Sequence, residues 1–448
     1  MSKSVTKDMT VGSPMRLIVS FFIPLLLGML FQQFYSMMDT IIVGRCLGVN
    51  ALAAVGSTGS VNFMIIGFCM GVCNGFAIPV AQRFGAKDQT GLRKFVANSV
   101  WLSIVFAVIM TIVTCILCRQ IMTWMRTPAD IFEDANTYIF IIFIGIPATY
   151  LYNLVSGIIR SLGDSRSPLF FLIVSSVLNI GLDFLFILTF HMGVAGAAWA
   201  TVISQAVSGI GCLFYMKHKF EILKIRPEEW KMDTKYMKIL CGMGIPMGLQ
   251  YSITAIGSVI LQTAVNTLGS SAVAAITAGS KVSMFFCCPY DAMGSTMATY
   301  AGQNVGAGKL DRVKKGMLSC CLLGLIYAVL AFVFLFFFGR YTALLFMEAS
   351  EKAILGNVTT FLLINSAFFF PLSLVNIIRF TIQGMGYSVL AICAGICEMV
   401  ARSIVGFVFV PMWGFVAACF ASPVAWICAD IFLIPAFFYC LRRLNKVY

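Results

Sequence analysis

Apolar stretches separated by short polar segments occupy almost the whole chain. Each stretch contains roughly 20 or more residues, enough for a helix that crosses a hydrocarbon layer about 30 Å thick. No polar segment is long enough for a soluble domain. The pattern predicts an all-α polytopic membrane protein. The twelve predicted transmembrane helices cover residues 16–44, 51–84, 93–118, 131–158, 166–189, 193–216, 236–267, 272–303, 313–338, 354–382, 387–410 and 414–441.

The composition agrees with this pattern. The 448 residues are 60% hydrophobic and only 11% charged, and the mean hydropathy of +0.93 is far above that of soluble proteins. The polar segment before the first apolar stretch is too short for the start of a signal peptide, and that stretch is followed by others of the same kind. We therefore expect it to be a retained transmembrane helix.

The net charge of +13 is distributed unevenly between the connecting segments. Most Lys and Arg residues fall in every second segment, with the longest basic run in residues 217–238. The positive-inside rule then predicts a multi-pass protein of the plasma membrane with both termini in the cytoplasm. Nucleic-acid binding is disfavoured, because the basic residues are dispersed among helix ends. The expected partners are small-molecule substrates and membrane lipids, and we expect a monomer.

Motifs for enzyme or metal chemistry are weak. The sixteen Cys lie mostly in apolar stretches, and the pair Cys115 and Cys118 has no second pair or His cluster to complete a zinc site. The two His are in predicted loops, and neither a nucleophile elbow nor a phosphate-binding loop occurs. We expect neither an enzyme nor a cofactor.

The two halves of the chain repeat each other at an offset of 221 to 223 residues. Residues 47–54, LGVNALAA, recur as LGSSAVAA at 268–275, and the Q-x-x-G-A of residues 82–86 recurs at 303–307. Six helices per copy is an even number, so both copies must cross the membrane in the same direction. The sequence thus predicts an N-lobe over residues 1–216, a cytoplasmic linker over 217–235 and a C-lobe over 236–448, with the binding site between the lobes.

Charged residues inside the predicted helices are candidates for function, because each costs at least about 2.5 kcal/mol at the centre of a membrane. The first half contributes only carboxylates, whereas the second half contributes both signs of charge. The candidates are Asp39, Asp183, Lys281, Asp291, Glu398, Arg402 and Asp430.

The two carboxylates of the first half share one level in the membrane. At about 1.5 Å per residue, Asp39 and Asp183 lie roughly 8 and 9 Å from the outer ends of their predicted helices. Tyr138 and Thr201 lie about 10 to 12 Å from the outer ends of theirs. Asn179 is one helical turn from Asp183. Because no basic residue lies among these polar positions, we expect the two carboxylates to bind and release a proton or Na⁺. The alternative, separate hydrogen-bonded structural positions, remains open.

The second half does not repeat this pair, because the equivalent positions fall near Ile260 and Gly406. Glu398 and Arg402 are four residues apart and can form an ion pair, and Lys281 and Asp430 reach similar levels. We expect these four residues to form a structural charge network. Asp291 has no obvious partner, and either a bound cation or a hydrogen bond would satisfy it.

Other polar positions and two prolines complete the set of candidates. Pro24 and Pro246 occupy equivalent places in helices 1 and 7, where each removes a backbone hydrogen bond, so both are candidate hinges. The candidate substrate-cavity residues are Gln32, Tyr35, Gln205, Gln250, Ser258 and Gln262.

Several of these motifs resemble those of the multidrug and toxin extrusion (MATE) family, and the resemblance covers essentially the whole chain. The motifs are Ile23-Pro24 followed by Tyr35-x3-Asp39-x4-Gly44, Gln82-x-x-Gly85-Ala86 with its counterpart Gln303-Asn304-x-Gly306-Ala307, Arg160-x-x-Gly163-Asp164, and Asn179-x3-Asp183.

The resemblance implies a V-shaped pair of six-helix lobes that exports cationic or amphipathic compounds in exchange for H⁺ or Na⁺. Members similar to the DinF-like bacterial branch carry the coupling ion on residues that match Asp39, Tyr138, Asn179, Asp183 and Thr201. NorM-type members place a glutamate on helix 7, which this chain lacks. A lipid-linked saccharide flippase of the same superfamily is the alternative. Such proteins tend to line the cavity with several cationic residues, and here only Lys281 and Arg402 qualify.

Overall fold

The computed structural model describes residues 6–344 and 352–447, and within these ranges the chain is almost entirely helical, without a β-strand. Turns of π-helix follow α7 at Leu185–Thr189 and α14 at Val405–Phe409. The α-helices are α1 Pro14–Leu47, α2 Val49–Ser57, α3 Gly59–Gly85, α4 Gln89–Trp124, α5 Phe132–Ile144, α6 Ile146–Ser161, α7 Arg166–Phe184, α8 Val194–Lys219, α9 Thr234–Asn266, α10 Ser270–Gly306, α11 Leu310–Ala343, α12 Lys352–Ala367, α13 Phe369–Gly384, α14 Ser388–Ile404, α15 Val410–Trp413 and α16 Phe415–Leu444.

The number of membrane spans agrees with the sequence prediction. Ten helical segments of the described chain are long and apolar enough to cross a membrane, and two bent pairs, α5 with α6 at 46° and α12 with α13 at 50°, bring the number to twelve. The first bend lies where Pro147 opens α6, because proline has no N–H to continue the preceding helix. The prediction of an all-α polytopic membrane fold is confirmed.

The repeat found in the sequence extends to the backbone geometry. Glycines that precede helices in one half adopt the same left-handed conformation as their counterparts in the other half, a conformation that L-residues rarely adopt. The two π-helical turns also occupy equivalent places in the two halves. The glycine pairs are Gly48 (φ 90°) with Gly269 (95°), Gly163 (87°) with Gly386 (100°), and Gly193 (62°) with Gly414 (62°).

The described chain divides into two compact units. Unit 1 contains residues 6–9 and Ile23–Tyr251, and unit 2 contains Thr10–Phe22 and the described residues from Ser252 onward. The boundaries predicted from sequence followed chain order. The structure instead groups the first part of α1 with unit 2 and the first part of α9, up to Tyr251, with unit 1.

Glycine packing explains why the first part of α9 belongs to unit 1. A Cβ on Gly75 of α3 would lie 2.5 Å from the Cα of Gly244, and one on Gly71 would lie 2.7 Å from the Cα of Gly248. Both helices carry a G-x-x-x-G spacing, so the two backbones can approach closely over a full helical turn. Apolar lipid gives no hydrophobic driving force between helices, so this van der Waals packing is what holds α9 against α3.

Replacing Gly75 by Ala is expected to destabilise the protein by about 1 to 3 kcal/mol, because the added methyl group would overlap backbone atoms of Met243 and Gly244 that cannot move aside. Gly242→Ala is the matched control, since a Cβ there meets nothing within 4 Å. The control should be neutral or slightly stabilising through helix propensity. Thermal unfolding of the purified variants checks this, and equal melting temperatures would contradict the packing.

The predicted linker is docked on α4 of unit 1. The carboxylate of Glu229, in a 3₁₀ turn at Pro227–Trp230, accepts hydrogen bonds from Arg93 Nε at 2.9 and 2.8 Å and from Arg226 N at 2.8 Å. Trp101 Nε1 donates to the carbonyl of Trp230 at 3.0 Å. Both members of the Arg93–Glu229 ion pair are buried. The segment is therefore an ordered part of unit 1.

The Arg93–Glu229 pair gives a stability prediction that depends on pH. Hydrogen bonding to Arg93 lowers the pKa of Glu229 from its ordinary value of 4.5, so the pair stabilises the fold above that pH and loses this contribution as the pH falls through the lower folded pKa. We expect Glu229→Gln to cost about 1.5 to 3 kcal/mol at pH 7 and the deficit to shrink below about pH 4.

Glu228→Gln is the matched control for this experiment, because Glu228 is the exposed neighbouring carboxylate. The measurement is the melting temperature of the wild type and both variants between pH 3.5 and 7 in one detergent. A Glu229→Gln deficit that stays constant across this range would show that the ion pair is not its cause.

Candidate cation-binding site

Two helices of unit 1 bring the predicted carboxylates together. Asp39 lies on α1 and Asp183 near the end of α7, and their carboxyl groups are within hydrogen-bonding reach of each other. The Asp183 side chain is completely buried. Two ionised carboxylates can only accept hydrogen bonds, so they repel in this position unless a proton or another cation lies between them.

Two tyrosines of unit 1 interact electrostatically with this pair. Tyr138 on α5 is buried and interacts electrostatically with Asp39, Asp183 and Tyr35. Tyr35, one turn before Asp39 on α1, interacts with Asp39 and forms a side-chain hydrogen bond with Gln32. The hydroxyl groups of both tyrosines are polar atoms beside the carboxylates and can donate to them when they are ionised.

The amide of Asn179 completes the cluster on α7. Its Nδ2 donates to Thr201 Oγ1 on α8 at 3.4 Å, and the Thr201 hydroxyl donates to the carbonyl of Ala197 at 3.1 Å. This arrangement turns the Asn179 Oδ1 away from Thr201. Four buried oxygens in the cluster accept no hydrogen bond: Asp39 Oδ1, both carboxylate oxygens of Asp183, and Asn179 Oδ1. Buried acceptors without donors are the ligands expected for a small hard cation or for an added proton.

The candidate substrate-cavity residues do not form one group. Gln32 and Tyr35 lie beside the carboxylates, whereas the Oε1 of Gln205 on α8 accepts a hydrogen bond from Thr149 on α6 at 3.0 Å. Gln250 is buried in unit 1. In unit 2, Ser258 is exposed, and Gln262 donates from Nε2 to Asn266 Oδ1 at 2.8 Å. Their role in binding substrate stays a prediction.

The candidate hinge prolines both lie inside continuous helices. Pro24 is within α1 and Pro246 is within α9, and each helix continues on both sides of its proline. A proline within a helix removes one backbone hydrogen bond. Their function as hinges stays a prediction.

Unit 2 holds a buried ion-pair network centred on Glu398 of α14. One carboxylate oxygen pairs with Arg379 of α13, and the other pairs with Arg402 Nη2 at 3.4 Å. Asp430 of α16 is also buried and interacts electrostatically with Arg379, as does Asp291 of α10. A carboxylate held between two guanidinium groups is neutralised on both sides, which is the arrangement of a structural ion pair.

Arg379 was not among the residues predicted for this network, and Lys281 was predicted in its place. Lys281 is exposed, and it forms no ion pair in the part of the chain that the structure describes. Arg379 lay inside the predicted helix 354–382, so a complete search of that helix for charges would have found it. Arg379 fits this place because a planar guanidinium with five donors can pair with several buried carboxylates.

Twelve apolar spans in two matching halves, with buried carboxylates inside the spans, define the class of polytopic membrane transporters built from repeats. The chain belongs to the multidrug and toxin extrusion family: the MatE family model matches residues 24–185 and 246–410. Members of this family are transporters and not enzymes, so the prediction that the protein is not an enzyme is confirmed.

Relatives and solved structures agree with this assignment. The chain is 30% identical over 373 residues to the probable multidrug resistance protein YpnP of Bacillus subtilis, covering 83% of this chain and 82% of YpnP. It is 23% identical over 391 residues to an FAD transporter of Shewanella oneidensis, covering 86% and 85% of the two chains. The crystal structure of MATE in complex with MaL6 superimposes over 100% of both chains with a TM-score of 0.92 at 24% identity, which shows the shared fold.

Proposed function

We propose that this protein exports cationic or amphipathic small molecules in exchange for H⁺ or Na⁺ by alternating access. It would act in the inner (plasma) membrane, with both termini in the cytoplasm. The observation that carries the proposal is the Asp39–Asp183 pair, with its cluster of buried oxygens that accept no hydrogen bond. The multidrug resistance proteins among the relatives support the substrate class. No further cofactor is needed.

The coupling step follows from the chemistry of the carboxylate pair. A proton or Na⁺ between Asp39 and Asp183 removes their repulsion, and its departure restores it. The neighbouring hydroxyls of Tyr35 and Tyr138 can then donate hydrogen bonds to the ionised form. If the two conformations of the protein differ in the separation of these carboxyl groups, their affinities for the cation differ as well. That difference is the free energy that drives the exchange.

The cationic side chains of unit 2 disfavour the flippase alternative. A lipid-linked saccharide carries a pyrophosphate, which requires cationic groups that are not already neutralised. Arg379 and Arg402 both pair with the carboxylate of Glu398, and Lys281 is exposed. The two arginines are therefore poor candidates for a pyrophosphate site. Lys281 alone does not supply the several cationic groups that such a site tends to have, and we favour the export of small molecules.

The test is efflux of the lipophilic cation rhodamine 123 from proteoliposomes of purified protein. One set of vesicles receives an inward H⁺ gradient and another an inward Na⁺ gradient of the same size. We expect one of the two gradients to drive dye movement and the other to have no effect, which would also identify the coupling ion. Dye movement that responds to neither gradient would contradict antiport.

A further inference from the structure

Among the residues that the structure describes, the guanidinium group of Arg160 in unit 1 has no acidic ion-pair partner. Arg160 lies in the last turn of α6, and its Nη2 donates to Asn74 Oδ1 of α3 at 3.3 Å. The groups that interact with it electrostatically are the side chains of Tyr152, Cys212, Tyr251 and Cys73, all of which are neutral. Within residues 6–344 and 352–447, no carboxylate forms an ion pair with Arg160.

The nearest acidic residue along the chain is already engaged. Asp164 lies just before α7, where its Oδ1 accepts hydrogen bonds from the backbone N–H groups of Arg166 at 2.9 Å and Ser167 at 3.1 Å. Its Oδ2 accepts from the Ser167 hydroxyl at 2.5 Å. The carboxylate thus caps the start of α7 and forms no ion pair with Arg160.

The three buried arginines of the described chain, by contrast, have acidic partners. Arg93 pairs with Glu229, and Arg379 and Arg402 share Glu398. An arginine has five N–H donors, and the one hydrogen bond to Asn74 uses only one of them. Arg160 is partly buried in the last turn of a membrane-spanning helix, and an unpaired charge within such a helix is costly and often marks a substrate pathway.

Arg160 is connected to the cation-binding cluster through two tyrosines of unit 1. Arg160 interacts with Tyr152, Tyr152 interacts with Tyr35, and Tyr35 interacts with Asp39. These electrostatic interactions link the side chains into one polar tract of unit 1, with carboxylates at one end and a guanidinium at the other. A tract with opposite charges at its two ends is complementary to a molecule that itself carries both charges.

We propose that Arg160 binds the acidic oxyanion, a carboxylate or a phosphate, of zwitterionic or acidic amphiphilic substrates. The planar guanidinium fork matches the two oxygens of such a group and can form two parallel hydrogen bonds with it. The site extends the substrate range beyond simple cations, so this inference rests on the proposed export function. Arg160 is a substrate-binding residue that plays no part in cation coupling.

The test compares two dyes that differ in one group. Rhodamine 110 carries a free carboxylate, and rhodamine 123 is its methyl ester. Binding of each to purified protein in detergent is measured by fluorescence anisotropy for the wild type, Arg160→Gln, Arg160→Lys and the control Arg166→Gln. Arg166 is an exposed arginine at the start of α7.

We expect Arg160→Gln to weaken the binding of rhodamine 110 by about tenfold or more, the effect of losing a charge-assisted hydrogen-bonded pair. Binding of rhodamine 123 should change by less than about twofold, which also shows that the variant is folded. Arg160→Lys should restore part of the rhodamine 110 affinity, because it keeps the charge but loses the fork. Arg166→Gln should match the wild type for both dyes.

The proposal would be overturned if Arg160→Gln weakened the binding of both dyes equally or left the binding of both unchanged. A second arm repeats the measurement in nanodiscs with and without phosphatidylglycerol. If the variants differ only when this anionic lipid is present, the guanidinium binds a lipid phosphate and the assignment to substrate is wrong. Equilibrium binding needs no ion gradient, so the binding result can be interpreted even if the proteoliposome assay shows no antiport.

Discussion

Asp183→Asn and Asp39→Asn are each expected to lower gradient-driven efflux of rhodamine 123 by at least about 100-fold, the upper range of a coupling free energy between two sites. An amide has nearly the same shape as a carboxyl group but carries no charge, so it cannot exchange a proton or hold Na⁺ by electrostatic attraction. The carboxyl groups of this pair lie within hydrogen-bonding reach of each other, and the loss of either one leaves a single charge in place of the pair.

The control for this prediction is Glu133→Gln. Glu133 is an exposed carboxylate of α5 in the same unit, and it pairs with Arg119 at the surface. This variant should transport at the wild-type rate, because exposed ion pairs contribute little to stability. Melting temperatures of all variants should show that each is folded. Undiminished coupled transport in Asp183→Asn or Asp39→Asn would refute the assignment of the cation site.

Glu398→Gln is expected to lower the free energy of unfolding by about 3 to 5 kcal/mol, the cost of breaking a buried ion pair by removing one partner. The carboxylate of Glu398 is the shared partner of two buried guanidinium groups, Arg379 and Arg402. A neutral amide would leave both charges insufficiently compensated in a medium where water cannot replace the lost partner. Thermal unfolding in detergent measures the effect.

Asp311→Asn is the control in the same unit, since Asp311 is an exposed carboxylate at the start of α11 and should affect the melting temperature little. The double variant Glu398→Gln/Arg402→Gln should lose less stability than the sum of its two single variants, because the second change removes one of the charges that the first left unpaired. A Glu398→Gln protein with wild-type stability and no transport would show that this network belongs to the transport mechanism.

The sequence predicted the membrane spans well, for a physical reason. Lipid requires every backbone polar group to be satisfied within a helix, so span length and composition nearly determine the helices. The glycine pairs Gly48 with Gly269 and Gly193 with Gly414 also marked equivalent turns, because their left-handed conformation excludes most other residues. A fixed rise per residue placed Asp39 and Asp183 at one level, and the structure adds that their carboxyl groups lie close together.

Rotation about each helix axis and the choice of packing partner were beyond the reach of the sequence. Depth placed Lys281 and Asp430 at one level, but it could not show that Lys281 is exposed while Arg379 lies in the network. Chain order likewise assigned the first part of α9 to the second half of the protein. The first part of α9 lies in unit 1 because of glycine contacts with α3, and these contacts join residues that are far apart in sequence.

Arg160 shows a further limit, which concerns the ends of helices. The predicted span ended at residue 158, so the arginine counted as part of a loop and the first half was expected to lack a basic residue among its polar positions. In the structure the helix continues to Ser161, and Arg160 interacts with Tyr152 inside unit 1. An error of a few residues at a helix end thus changed the predicted charge of the binding region.

The most direct measurement is the affinity of purified protein for rhodamine 123 at a series of H⁺ and Na⁺ concentrations. Antiport requires that the dye and the coupling cation favour opposite states, so raising one cation should weaken dye binding to the wild type. In the double variant Asp39→Asn/Asp183→Asn this dependence should vanish while dye binding persists. If the double variant responds to H⁺ or Na⁺ as the wild type does, the carboxylate pair does not bind the coupling cation.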